Sequence, residues 1–138
     1  MAEAVRFYKL AERLAKGELN LATDQFAIVL SNTLPDITTD EDLADITEIS
    51  GGNGYTSGGI NLTTSAAALA ANIFTLSFSQ LLIQASGGSI GPFQYIVLVD
   101  KTHASDALIQ VWDYDSPITL SAGQSFRFSS NGPVKITV

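Results

Sequence analysis

The chain has 138 residues, 46% of them hydrophobic and only 15% charged, with no cysteine and a single histidine. That length suits one domain with its own core, and the missing thiols exclude disulfides, a cysteine nucleophile and thiolate metal sites. A net charge of −7 argues against a nucleic-acid partner, which needs clustered Lys and Arg.

The charge is unevenly placed. Residues 1–16 hold Arg6, Lys9, Arg13 and Lys16 against Glu3 and Glu12, while the rest of the chain holds Lys101, Arg127 and Lys135 against twelve acids. The charged fraction lies below the roughly 25% of a typical soluble domain, and the mean hydropathy is positive. Either other molecules cover part of the surface, or Ser, Thr and Gly furnish it. The opening MAEAVRFYKL lacks the apolar core of a secretory signal. No run reaches the roughly 18 apolar residues that span a bilayer. The expectation is a soluble protein made in the cytoplasm, with no membrane partner.

Residues 2–16 are rich in Ala, Leu, Glu, Lys and Arg and read as a short N-terminal α-helix. Gly17 serves as its C′ residue, and Glu12 and Lys16 form an i,i+4 pair. A helix this short needs a surface to dock on. The domain division is therefore an N-terminal helix or arm, 1–17, and one β-rich domain, 18–138. A strand over Gln25–Ser31 is apolar on both faces, as an inner strand would be. Thr39 reads as the N-cap of a helical turn over Asp40–Ala44. The surrounding acids (Asp36, Asp40, Glu41, Asp42, Asp45 and Glu48) lack the ligand alternation and central glycine of an EF-hand loop, so a capped, solvated turn is favoured over a calcium site.

Ser50–Gly59 has five glycines and reads as a loop. Gly59 is followed by Ile60, Asn61 and Leu62, without the lysine of a phosphate loop. From there the pattern is almost wholly β. Strands are expected at Ile60–Thr64, Asn72–Ser77, Leu81–Gln84, Phe93–Asp100, Asp106–Tyr114, Ile118–Leu120, Ser125–Phe128 and Val134–Val138. A hairpin turns at Lys101–Ser105, and Ser116–Pro117 breaks the ladder. The alanine run within Thr64–Ala71 fits either a strand or a helical turn. Short strands at this spacing indicate a mainly β fold, an antiparallel β-sandwich or a jelly-roll-like barrel.

Candidate chemistry is sparse. His103 sits in the expected hairpin turn, where a lone histidine is inert far more often than catalytic. Asp113 and Asp115 fit a strand-ending turn better than a cation or sugar site. Tyr55, Tyr95, Trp112 and Tyr114 could build a sugar platform, although strand aromatics more often belong to the core. No catalytic residue, cofactor or metal is expected.

Three stretches carry a resemblance: Gly17–Asp24 with the strand after it, Glu48–Gly59 (EISGGNGYTSGG), and the β-rich remainder ending in a short strand. Together they resemble small virion proteins of tailed bacteriophages, the head decoration or cement proteins. The resemblance implies a non-enzymatic structural protein on the outside of the capsid, often a homotrimer, that clamps the major capsid protein. Phe7, Tyr8, Leu10 and Leu14, with Tyr55 in the glycine-rich loop, are the expected contact residues. A tail or connector component is the alternative. A carbohydrate-binding β-sandwich using Tyr55, Trp112 and Asp113 is the reading from another class.

Overall fold

The computed structural model describes residues 3–129 and 134–137. Its strands are β1 (Glu3–Arg6), β2 (Phe26–Ser31), β3 (Ile60–Asn61), β4 (Thr64–Ala70), β5 (Ile73–Phe78), β6 (Leu81–Gln84), β7 (Ile90–Asp100), β8 (Ala107–Leu120), β9 (Ser125–Phe128) and β10 (Val134–Thr137). One helix, α1, spans Lys9–Ala15. A five-stranded sheet has the order β1-β8-β7-β2-β3, a three-stranded sheet β10-β5-β4, and a pair β6-β9. All pairings between these strands are antiparallel. The fold is mainly β and consistent with a sandwich; the strands do not close into a barrel, which corrects that half of the expectation.

The five-stranded sheet is apolar on both faces because it is covered on both. Phe26, Ile28, Leu30, Ile96, Leu98 and Trp112 face a core shared with Leu76 and Phe78 of β5, Ile83 of β6 and Phe128 of β9. Edge-on ring contacts join the layers: Phe26 to Phe78 at 5.6 Å and Trp112 to Phe128 at 4.9 Å between centroids. On the reverse face, Ala27, Val29, Val97, Val99 and Leu108 pack under Ile37, Leu43 and Ile46, which belong to the acidic connection after β2. That connection acts as a strap across the sheet.

The N-terminus differs from the expected single helix. Its first half is β1, paired with β8 so that Val5 faces Val111 and Arg6 faces Gln110. Helix propensity is a weak preference, and an open sheet edge overrides it here. The chain then wraps that edge, since Phe7 packs on the strap side and Leu10 in the main core. Gly17, at φ 73°, ends α1 as expected. Its N–H reaches Leu14 O, and Glu18 N–H reaches Arg13 O, which makes a Schellman closure.

Two further expectations need correction. The ladder does not break at Ser116–Pro117, because β8 runs on to Leu120. Extra residues of β8 bulge between the pairs Tyr95–Asp113 and Phe93–Ile118, with Asp115 at φ 65°. A proline inside a bulge forfeits no ladder hydrogen bond. The expected turn at Asp40–Ala44 is a 3-10 turn at Leu43–Asp45 preceded by Asp42, not Thr39. The alanine run is a strand, β4, and the hairpin turn between β7 and β8 lies where the sequence puts it.

No charged side chain occurs between Glu48 and Asp100. The glycine-rich loop, β3, β4, β5, β6 and nearly all of β7 are therefore built without ionised groups.

Candidate functional site

Two adjoining grooves flank α1. One, of about 500 Å³, is lined by Leu14, Leu19, Leu21, Ala22, Phe74 and Ile136. The other, of about 190 Å³, is lined by Arg6, Phe7, Tyr8, Leu10, Ala11 and Leu14, again with Ile136. Leu14 and Ile136 border both, so the two form one apolar trough between the helix and the three-stranded sheet.

Local bonds hold the trough walls. The turn after α1 is self-capped, because Asn20 Oδ1 accepts from Ala22 N and Asp24 Oδ2 from Asn20 N. Arg6 Nη1 donates to Lys135 O at 2.6 Å and ties β1 to β10. Arg13, buried despite its charge, donates to Glu41 O at 2.6 Å and to Asp42 Oδ1 at 2.7 Å. Its Nε stays buried without a hydrogen bond, with Glu18 at 3.8 Å. Lys9 Nζ lies 2.6 Å from Glu41, and Tyr8 OH donates to the same carboxylate at 2.9 Å. These two donors hold Glu41 below the usual carboxylate range. The helix is thus clamped to the strap by charge and to the core by Leu10.

The structure sorts the expected contact residues. Tyr8, 50% exposed, forms the rim, and half-buried Leu14 forms the shared wall. Phe7 and Leu10, each 2% exposed, are the floor and already belong to the protein's own core. Tyr55 is not part of the trough. It is 2% exposed, donates through its hydroxyl to Glu48 Oε2 and accepts from Leu30 N at 3.1 Å. Burial and the Glu48 carboxylate raise its pKa. Tyr55 is therefore an anchor of the glycine-rich loop and not a surface contact. Glu48 Oε2 also accepts from Gly58 N at 2.8 Å, and Lys101 Nζ reaches Gly58 O at 3.2 Å. Gly54, at φ 107°, packs so closely that a Cβ there would strike the Gln84 carbonyl.

The acidic strap is self-satisfied. Asp36 Oδ1 accepts from Thr38 N and Thr38 Oγ1, Asp40 Oδ2 from Asp36 N, and Asp45 Oδ2 from Glu41 N and Asp42 N. These bonds hold Asp36 and Asp45 below the usual carboxylate range. Among the described residues, no group of three or more His, Asp or Glu is placed to hold a metal ion. No described helix is long and apolar enough to cross a membrane.

His103 has structural partners on both nitrogens. Nδ1 accepts from Ser105 N at 3.1 Å, so Nε2 carries the proton toward Glu18 Oε1 at 3.1 Å. The adjacent Asp100 is fully buried; its Oδ1 accepts from Thr102 N and His103 N, while Oδ2 has no hydrogen-bond partner. Burial first, and the neighbouring Asp24 carboxyl second, push its pKa up to about 7. Of the residues considered for a sugar platform, Trp112 and Tyr55 are buried, Tyr95 and Tyr114 are partly buried, and Asp113 Oδ1 is occupied by Gln94 Nε2 and Asp115 N.

Sequence reasoning missed four walls of the trough: Leu19, Leu21, Phe74 and Ile136. The first two alternate within ELNLAT, a period-two signal in the stretch that leads into the strand at Gln25–Ser31. Phe74 and Ile136 face each other across β5 and β10, which no local pattern reports. A second groove, bordered by Val5, Leu34, Pro35, Tyr95 and Val111, lies between the sheet and the strap, with Leu34 68% exposed. Compared with protein-family models, with curated proteins and with solved structures, the chain matches none.

Proposed function

We propose that this chain is a non-enzymatic structural protein of a tailed-bacteriophage virion, a capsid decoration protein that docks on the outer face of the head and bridges major capsid subunits. One observation carries the reading: the apolar trough beside α1 opens, through Phe74, onto a hairpin without charge, β4–β5. Protein contact surfaces are depleted in charge at their centre and apolar there, with a polar rim. Tyr8, Lys9 and Glu12 supply such a rim along α1. The sandwich behind the trough, covered on both faces of its main sheet, offers a rigid platform. A cement protein works through many symmetric copies, so modest contacts add to a large stabilisation of the shell.

The test is co-sedimentation with purified, expanded capsids. Binding to heads is expected, with loss on Leu14→Glu while far-UV circular dichroism stays unchanged. Protein that ignores heads but labels tails assigns it to a tail or connector part. Protein that binds neither removes the virion reading.

A further inference from the structure

The exposed edge of β4 marks a second contact, separate from the trough. Among the described residues, β4 of the three-stranded sheet pairs with β5 alone, so its outward amides and carbonyls have no sheet partner there. It is seven residues long, TSAAALA, with neither charge nor proline. Its one irregularity lies at its start, between Thr64 and Ala66. Leu69 is 69% exposed and Ala66, Ala68 and Ala70 are exposed beside it.

Other edges of the fold are blunted. β3 has two residues, and β1 carries Arg6. On β10, Arg6 occupies the Lys135 carbonyl. β6 has four residues and stands opposite Arg127 of β9. Short strands and edge charges are the usual protection against unwanted pairing. β4 has none of it.

We infer that β4 is a self-pairing edge: two copies of the chain join through antiparallel β4–β4′ hydrogen bonding about a two-fold axis at Ala68. The occupant of an unpaired strand edge is another strand, and this edge suits a second copy because it is charge-free and can pair with itself without opposing like charges. Each chain carries −7, so copies repel wherever their charged parts meet. The β4 contact brings together the parts that hold no ionised group, with β10, the charged strand of this sheet, on the far side of β5. The regular stretch Ala66–Ala70 centres on Ala68. The two-fold sets Ala66 against Ala70′, Ala67 against Leu69′ and Ala68 against Ala68′, so that every side chain but Leu69 is small and the backbones can approach. The sheets merge into six strands, β10-β5-β4-β4′-β5′-β10′. The contact is isologous and closes at two copies.

The absence of cysteine makes the test clean. Ala68→Cys, which meets its own copy at the axis, is expected to form a disulfide-linked dimer under mild oxidation, and exposed Leu82→Cys is not. Equal cross-linking of the two overturns the proposal. In sedimentation equilibrium the parent chain is expected to dimerise reversibly. Ala68→Lys, which opposes two like charges, is expected to weaken this roughly tenfold or more with unchanged circular dichroism. A parent that stays monomeric at high concentration, a parent that assembles only as a trimer, or a lysine variant that dimerises as the parent does, each overturns the two-fold pairing. Capsid binding is a separate readout, so this contact and the decoration role fail or stand independently.

Discussion

The strap over residues 33–48 and the β4–β5 hairpin lie on opposite sides of the five-stranded sheet, and they cover it by opposite means. The strap inserts Ile37, Leu43 and Ile46 and turns its acids outward, where backbone amides and the side chains of Lys9 and Arg13 satisfy them. The hairpin inserts Leu76 and Phe78 and has no charge to turn outward, so Ala, Ser and Leu69 face solvent. The strap is complete within one chain. The hairpin keeps an open edge and exposed apolar area, the features of a surface that awaits a partner.

The largest expected effect comes from cutting the charged side. Deleting residues 1–16 removes β1 from the sheet edge, Leu10 from the main core and the Arg13 clamp. Loss of one large core side chain costs about 2–5 kcal/mol, against total stabilities of about 5–15 kcal/mol. The truncated chain should lose its cooperative thermal transition by circular dichroism. A sharp melt would instead make the N-terminal segment an arm on an independent body.

An intermediate effect is expected where the two sides meet. Tyr55→Phe leaves the buried Leu30 N without its acceptor and removes one of the two donors to the part-buried Glu48 carboxylate, Gly58 N remaining. The cost should be about 1–3 kcal/mol in urea unfolding, with faster proteolysis in the glycine-rich loop. An unchanged midpoint would show that Glu48 does not link the charged side to the uncharged one.

The smallest effect concerns pH. Asp100 is raised to about 7 in the folded protein, so the folded state holds a proton that the unfolded chain releases at the usual carboxylate value. Its contribution is fully present below that value and is lost as pH rises through about 7. Asp36, Glu41 and Asp45 are lowered, so theirs is present at neutral pH and is lost in acid. Asp100→Asn keeps an Oδ1 acceptor for Thr102 N and His103 N. Its melting temperature should be flatter than the parent's between pH 5 and 8, while the acid-side loss remains. Parallel curves would remove Asp100 as the source.

Much of the β body was legible. Gln25–Ser31 and Phe93–Asp100 read as strands because they are apolar on both faces, and the structure covers both faces. The hairpin at Lys101–Ser105 was a local turn signal, and turn chemistry is local. The candidate site was half legible. Phe7, Tyr8, Leu10 and Leu14 do gather beside one trough, Leu10 and Leu14 by their i,i+4 spacing on α1 and Phe7 and Tyr8 from the segment just before it. Two of the four nevertheless serve the protein's own core, and Tyr55 lies elsewhere. Exposure depends on what packs against a residue, which spacing does not report.

The amino-acid sequence by itself determined the mainly β class, the glycine closure of α1, the double-sided central strands and the stretch without charge from Glu48 to Asp100. Each follows from side-chain chemistry or a short-range period. Only the tertiary structure decided that Glu3–Arg6 is a strand, that β8 passes through Pro117 by a bulge, that Tyr55 is an anchor and that β4 is left as an unblunted edge. These depend on partners distant in the chain: the β8 edge for β1, the β7 register for Pro117, the Leu30 amide for Tyr55 and the empty side of β4. The resemblance made Tyr55 in the glycine-rich loop a contact residue; the fold turns that side chain inward while most of the loop stays exposed, and the helix flank and the β4 edge are the surfaces we propose for contact.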